Sequence, residues 1–176
     1  MLFLTWGNTA YGASGDQGQL EIRVKDHREA IGDFSRLILK LDKLSISPAA
    51  GLMFWQSRWQ DLTPTVESID LTKYLGKESV MIFKQTINVG SFDAIQLTLK
   101  GVDGILKTTQ RSAQIKNSMG AIKLAFSIQP HAPTVIILDL VVLDMSDHPP
   151  MSYQLGIKGY ELYRNGKLVD KIPPGS

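Results

Sequence analysis

The sequence contains no cysteine among its 176 residues. This absence excludes a disulfide framework, a thiolate metal site and a cysteine nucleophile. It also excludes the lipid-modified cysteine that follows the leader of many exported bacterial proteins. Side-chain packing and hydrogen bonds must therefore stabilise the domain.

The chain also carries little net charge, because 19 basic and 17 acidic residues leave a formal charge of only +2. The charges are scattered along the chain, and proteins that bind nucleic acid through electrostatics usually carry a concentrated basic patch. Long apolar runs are lacking as well. The most apolar segment, residues 135–142, is far shorter than the roughly 18 residues that a membrane-spanning helix needs. We therefore expect neither a nucleic-acid partner nor a membrane span.

Groups suited to catalysis are few. The three histidines, His27, His131 and His148, all lie in predicted turns or loops. No G-x-S-x-G or S-x-x-K motif is present, so no serine is presented for a nucleophilic triad. The glycine-rich stretch at residues 12–18 opens no predicted helix, so it does not match a phosphate-binding loop. These absences predict that the protein is not an enzyme.

The N-terminal residues differ in character from the rest. Residues 1–12 are apolar and end in the small-residue exit Ala10, Tyr11 and Gly12, which resembles a leader-peptidase site, although no positively charged segment precedes it. We interpret residues 1–18 as a truncated signal peptide with a flexible N-terminus; the alternative is simply a floppy apolar N-terminus. The first interpretation predicts an extracytoplasmic protein in the periplasm, at the cell surface or secreted, beginning near Ala13.

From residue 19 onward the apolar residues recur with period two, which is typical of strands with one buried face. Leu20, Ile22 and Val24 alternate with charged residues. In residues 34–47 the leucines occupy odd-numbered positions up to Leu41, and the apolar residues occupy even-numbered positions from Leu44 onward. This shift of one residue predicts a β-bulge near Asp42 and Lys43. The run 135–138 is apolar on both faces, which predicts a central strand.

Turn signals separate these segments. Asn165 and Gly166 predict a tight C-terminal hairpin, residues 101–104 predict a turn, and residues 66–76 are the best candidate for a short helix. About eight to ten short strands without helical crossovers favour a sandwich over a parallel sheet. We predict an all-β fold, a single antiparallel β-sandwich over residues 19–176 with an Ig-like or transthyretin-like Greek key and a C-terminal β-hairpin.

An aromatic cluster is the first candidate site. Trp55 and Trp59 share a face at strand spacing, with Arg58 beside them. Exposed indoles next to a guanidinium would suit the binding of a sugar or a peptide. The alternative is that the indoles fill the core, where large aromatic side chains usually lie.

A second candidate is a metal site at Asp144, Asp147 and His148, whose carboxylates could hold calcium in a loop after a strand. The spacing does not match the twelve-residue calcium loop. The alternative is that these aspartates simply favour the turn before Pro149 and Pro150. Apart from this calcium site, the sequence predicts no cofactor.

Several of these segments carry a family resemblance. The strand sequences "FSRLILKLDKLSI", "FWQSRWQDL", "INVGSFDAIQLTL" and "TVIILDLVVLDM" follow one another in that order. Over residues 19–162 the chain resembles the bacterial DUF4382 family, and its most specific pieces are Gly90, Ser91 and Phe92, and the segment 122–124 ahead of Asp139. The resemblance implies an exported β-sandwich, often lipid-anchored, with no established activity. Gly159 stands where such members usually have a proline.

Two function classes follow. The first is a non-catalytic envelope module that binds or presents a protein, a glycan or a cell-wall component. The second is a small metal-dependent or hydrolytic enzyme whose site is assembled from distant loops. An enzyme should bring titratable groups together, and the sequence shows no such set. We therefore expect the binding module.

Overall fold

A computed structural model describes residues 16–49, 59–147 and 153–172. These residues form twelve strands and two short 3-10 turns, the latter at Ala30–Asp33 and Leu71–Lys73. The strands are β1 (Gln17–Asp26), β2 (Phe34–Pro48), β3 (Gln60–Leu62), β4 (Ser68–Asp70), β5 (Val80–Asn88), β6 (Gly90–Leu106), β7 (Ser112–Ala113), β8 (Ile115–Asn117), β9 (Ile122–Ile128), β10 (Thr134–Asp144), β11 (Tyr153–Arg164) and β12 (Lys167–Ile172). The described residues contain no helix long and apolar enough to cross a membrane. The proposed leader lies outside them.

The strands form two sheets. In the first sheet the order is β12-β11-β10-β1-β5. Strands β8 and β12 pair with the same edge of β11, β8 at its beginning (residues 153–155) and β12 at its end (residues 160–164). In the second the order is β3-β2-β6-β7, with β4 also on β2 and β9 also on β6. The inward side chains of both sheets form one hydrophobic cluster. The predicted all-β sandwich is therefore confirmed.

The period-two pattern correctly identifies the buried faces. Leu20, Ile22 and Val24 of β1 have no exposed surface, and Leu39 and Ile46 of β2 are equally buried. Both of the latter face inward although they lie at opposite parity, because the β2–β6 register shifts between Leu41 and Lys43. A bulge there keeps both halves of a long strand facing the same core. The bulge expected near Asp42 and Lys43 is thus confirmed.

One feature of the first sheet differs from the purely antiparallel arrangement that we expected. Strand β1 pairs with β5 in antiparallel fashion but with β10 in parallel fashion, from Leu20 with Thr134 to Asp26 with Leu140. Strand β8 also runs parallel to β11. Alternation along a strand reports which face is buried and not the direction of the neighbouring strand, so the pattern could not reveal this pairing. As expected from its two apolar faces, β10 is central, between β1 and β11.

Two local expectations from the sequence are wrong. Residues 101–104 form no turn, because β6 continues through them to Leu106. Gly104 is needed there for close packing, since a Cβ atom would lie 2.6 Å from the ring of Phe34 and from Ile115. Residues 66–76 form the short strand β4 and a 3-10 turn in place of a helix.

The C-terminal hairpin is present as expected. Asn165 and Gly166 adopt φ angles of 49° and 76° between β11 and β12. Positive φ at both central positions gives the turn twist that suits adjacent antiparallel strands. Strand β11 passes directly through Gly159, where a Cβ atom would lie 2.6 Å from the carbonyl oxygen of Ile172. A residue without a side chain is therefore required where the last two strands meet.

Candidate functional site

A cleft of about 800 Å³ lies on the outer face of the first sheet. Strands β1, β10, β11 and β12 form its floor, and residues 26–28 and 75–78 form its rim. Most of the lining is charged: the cations are Lys25, Arg28, Lys77 and Lys171, and the carboxylates are Asp26, Glu78, Asp139 and Glu161. His27, Tyr163 and Ile137 complete the wall on the sheet side, with Leu75 and Gly76 on the rim. We call this feature the outer cleft.

The floor of the outer cleft is organised around Glu161. Its Oε1 atom lies 2.8 Å from Nζ of Lys25 and 3.3 Å from Nζ of Lys171, and its Oε2 accepts a 2.8 Å hydrogen bond from the hydroxyl of Tyr163. Burial alone would raise the pKa of Glu161, but the hydrogen bonds from Lys25 and Tyr163 and the charge of Lys25 outweigh it and lower the pKa to about 2. Glu161 is therefore a fixed anion that holds three cleft side chains in place.

Beside this network two carboxylates are buried close to one another. Asp26 has no exposed surface and Asp139 is 6% exposed, and in each the Oδ1 atom is buried without a hydrogen-bond partner among the described residues. Burial raises the pKa of Asp26 to about 6; the backbone N–H of Arg28 lowers it, and the charge of Asp139 raises it further. Nδ1 of His27 lies 3.3 Å from Oδ2 of Asp139. The structure thus brings together three titratable groups that the sequence did not connect.

Asp26 also fixes the rim. Its Oδ2 accepts a 2.5 Å hydrogen bond from the backbone N–H of Arg28. Its backbone N–H donates to the carbonyl of Tyr74 at 2.8 Å, and its carbonyl accepts from the N–H of Gly76 at 3.1 Å. These bonds join the end of β1 to the segment that precedes β5. One aspartate therefore holds both sides of the cleft rim.

The predicted aromatic site lies elsewhere, and only part of it is described. Trp59 is 41% exposed and precedes β3, at an edge of the second sheet, so it is not a core residue. The alternative that places the indoles in the core is therefore wrong for Trp59. Trp55 and Arg58 lie outside the described residues. The structure does not bring Trp59 to the outer cleft, which belongs to the first sheet.

The predicted calcium site is likewise only partly described. Asp144 ends β10, and its Oδ1 accepts a 2.9 Å hydrogen bond from the backbone N–H of Ser146. This is the turn-forming role that the sequence left as the alternative. Asp147 is exposed, and His148 lies outside the described residues. Over the described ranges no three histidine, aspartate or glutamate side chains are grouped so that they could hold a metal ion.

Sequence reasoning missed the outer cleft although one signal was present. Asp26 continues the inward parity of Leu20, Ile22 and Val24, so the β1 pattern places a carboxylate on the buried face. A charged residue at a core position is rare unless it is paired or functional. Of the histidines, His27 reaches the cleft, whereas His131 lies in a turn with a φ of 59°.

Comparison with known proteins agrees with the resemblance found in the sequence. The family model described as "Domain of unknown function (DUF4382)" matches residues 17–154, from β1 to the start of β11. No significant match was found to a curated protein or to a solved structure. The match spans more than half of the chain and includes the strands that carry Asp26 and Asp139. The chain therefore belongs to the DUF4382 family.

Proposed function

We propose that this protein is a non-catalytic, extracytoplasmic binding module that holds its partner, an envelope protein or a glycan, in the outer cleft. The observation that supports the proposal is the ordered charge network of the cleft. Lys25, Lys171 and Tyr163 are all hydrogen-bonded to or paired with Glu161. A surface whose polar groups are already fixed loses little conformational entropy when a partner binds.

The accessibility of the titratable groups favours binding over catalysis. A catalytic acid or base must come within hydrogen-bond reach of the substrate. Asp26, whose pKa is about 6, has no exposed surface, and the side chain of Asp139 is only 9% exposed. His27 is 23% exposed and is directed to Asp139. Partner molecules in the cleft would therefore meet Arg28 and Lys77, which are exposed, before these carboxylates.

Two features of the sequence support a location outside the cytoplasm. The chain has no cysteine, so an oxidising compartment would not alter it by disulfide formation. Residues 1–12 resemble a leader. Fractionation of the native host, with sequencing of the N-terminus, tests this part of the proposal. Intact Met1 recovered from the cytosol would contradict it.

The binding role is tested by filling the cleft. Ile137 lies on the cleft floor, so Ile137→Trp should block the cleft without changing its charge. The matched control is Val89→Trp, because Val89 is 38% exposed and lies at the opposite end of β1 from Asp26. The immobilised proteins are incubated with envelope extract and with a glycan array. We expect the bound component to be lost from Ile137→Trp and retained by Val89→Trp.

The same experiment separates the alternatives. If Trp59→Ala loses the component while Ile137→Trp retains it, the aromatic surface and not the outer cleft is the binding site. If the bound component is converted to a new product and Asp26→Asn stops that conversion, the protein is an enzyme and the proposal is wrong. Melting curves of each variant establish that the fold is intact.

A further inference from the structure

We propose that the outer cleft recognises an oxyanion, the carboxylate or phosphate group of its ligand, through the guanidinium of Arg28 with Lys77 beside it. This inference rests on the proposed binding role of the cleft and names the chemistry of what is bound. It depends on how the backbone holds Arg28 and on which charges of the cleft are already paired.

The backbone of Arg28 has an unusual conformation. Its φ angle is 70°, in the left-handed region that residues other than glycine seldom occupy. The 2.5 Å hydrogen bond from its N–H to Oδ2 of Asp26 holds it there. Such a conformation costs free energy and persists only where neighbouring contacts enforce it, and these positions are concentrated at binding sites.

The side chain of Arg28 is positioned by a glycine. A Cβ atom at Gly76 would lie 2.5 Å from Nη2, 2.6 Å from Cζ and 2.6 Å from Nε of Arg28. The guanidinium therefore packs directly against the Gly76 backbone, in space that any other residue would fill. Gly76 itself has a φ of 67°, and its N–H donates to the carbonyl of Asp26. The guanidinium is thus placed at the rim by two backbone segments joined through Asp26.

The charges around Arg28 leave its guanidinium available. Among the described residues, neither Arg28 nor Lys77 forms an ion pair, and no acceptor receives a hydrogen bond from the guanidinium. Lys25 and Lys171 are already paired with Glu161, and Glu29 is paired with Lys158 at 3.3 Å. Glu78 shares the rim and pairs with neither cation in this part of the chain. The cleft therefore offers unpaired positive charge at one place.

A planar guanidinium with five N–H donors fits a carboxylate or a phosphate through two parallel hydrogen bonds. Lys77 would add a point charge to the same group. Asp26 holds the backbone of Arg28, and the guanidinium packs against Gly76, so both segments that meet at the rim restrict where the guanidinium can lie. These properties distinguish Arg28 from an ordinary flexible surface arginine.

The test is an NMR titration of the full chain with inorganic phosphate in one arm and glucuronate in the other, with sodium chloride as the ionic-strength control. We expect saturable shifts of the Arg28 Nε–H and the Gly76 N–H in at least one arm, and the arm that saturates identifies the anion. Arg28→Gln should weaken that binding about tenfold or more, and Arg28→Lys, which keeps the charge and loses the fork, should also weaken it. Glu78→Gln should strengthen anion binding, because it removes a negative charge that repels the bound anion.

Gly76→Ala tests positioning and not charge. The methyl group must displace the guanidinium, so we expect loss of binding although every cation is retained. The matched control is Gly166→Ala, which imposes comparable backbone strain at a φ of 76° with no atom within 4 Å of the added methyl. Retained binding in Gly166→Ala with lost binding in Gly76→Ala supports the proposal.

Two results would overturn this inference. One is the absence of saturable shifts in both arms, and the other is equal anion affinity in the parent and in Arg28→Gln. Either result would leave the binding role standing if Ile137→Trp still loses a component of the envelope extract. Conversely, anion binding with no component retained by the parent would support the recognition of an oxyanion and contradict an envelope-protein or glycan partner.

Discussion

Nζ of Lys25 lies 2.8 Å from Oε1 of Glu161, and the two side chains are only 12% and 13% exposed. Lys40 and Asp103 make a similar contact at 2.6 Å, but their side chains are 53% and 60% exposed. Water screens an exposed pair, whereas a buried charge that loses its partner has no replacement. The two pairs should therefore respond very differently to the loss of the acid.

Glu161→Gln should reduce the free energy of unfolding at neutral pH by about 2–3 kcal/mol, because the ammonium of Lys25 would remain buried without its anion. Asp103→Asn should reduce it by no more than about 0.5 kcal/mol, since that pair is on the surface. Urea unfolding of both variants measures the difference. Equal losses would mean that burial contributes nothing to the Glu161 network.

The effect of Glu161 should depend on pH. Its pKa in the folded protein is about 2, below the ordinary value of 4.5, so the folded state favours the ionised form. The stabilisation is fully present above about pH 4.5 and is lost as the pH falls toward about 2. The difference in unfolding free energy between the parent and Glu161→Gln should shrink across this range. A difference that stays constant would contradict the lowered pKa.

Asp26 should act in the opposite direction. Its folded-state pKa of about 6 lies above the ordinary 3.8, so the folded protein becomes less stable as the pH rises from about 4 to about 6. Asp26→Asn keeps an acceptor for the N–H of Arg28 and removes the buried charge. Relative to the parent, the free energy of unfolding of this variant should increase by about 3 kcal/mol between about pH 4 and pH 8. Asp93→Asn, at an exposed position, controls for the loss of one negative charge.

Neighbouring isoleucines on β10 should differ sharply. Ile136 has no exposed surface and lies in the core, whereas Ile137 is only partly buried and lines the outer cleft. Ile136→Ala should lower the free energy of unfolding by about 3 kcal/mol, and Ile137→Ala by about 1 kcal/mol or less. Thermal or urea unfolding tests the contrast. A larger loss at Ile137 would mean that the face assignment of β10 is wrong.

At the buried residue Gly18, the backbone of β1 passes very close to the connection between β9 and β10. A Cβ atom at Gly18 would lie 2.3 Å from the carbonyl oxygen of Gln129 and 2.7 Å from Ile128, so the backbone would have to shift. Gly18→Ala should cost about 1–3 kcal/mol. Gly120→Ala, where nothing lies within 4 Å, should cost almost nothing. Unfolding of the two variants, compared in urea, checks this prediction.

Much of the fold could be predicted because it depends on local signals. Period-two alternation identifies the buried face of β1, and the change of parity in β2 identifies its bulge. Positive φ at residues 165 and 166 is expected because asparagine tolerates this region and glycine has no Cβ atom to clash there. The turn predicted at residues 101–104 is wrong because glycine occurs both in turns and where strands pack closely. The sequence alone does not distinguish these two uses, since the difference depends on the neighbouring strands. The apolar run at residues 135–138 likewise indicates that Ile137 is buried, because an apolar residue on an outer face looks like a core residue in the sequence, but Ile137 is only partly buried and lines the outer cleft.

The outer cleft could not be predicted because its parts come from distant places. Lys25 and Glu161 lie at opposite ends of the chain and meet only because β10 separates β1 from β11 by a single strand. Gly76 reaches Arg28 through a loop that hydrogen-bonds to Asp26. Only the inward parity of Asp26 was visible in advance, and it indicates a buried carboxylate without naming its neighbours.

The parallel pairing of β1 with β10 also governs when this protein can fold. Leu20 pairs with Thr134, so β1 obtains its partner β10 only after the residues of β2 to β9 have been synthesised. Closing so long a loop costs chain entropy before any of the sheet is formed, and such topologies fold slowly. Until β10 is synthesised, β1 has β5 on one edge and no hydrogen-bonding partner on its other edge. The first sheet therefore remains incomplete while β2 to β9 are made, although the strands of the second sheet can already pair.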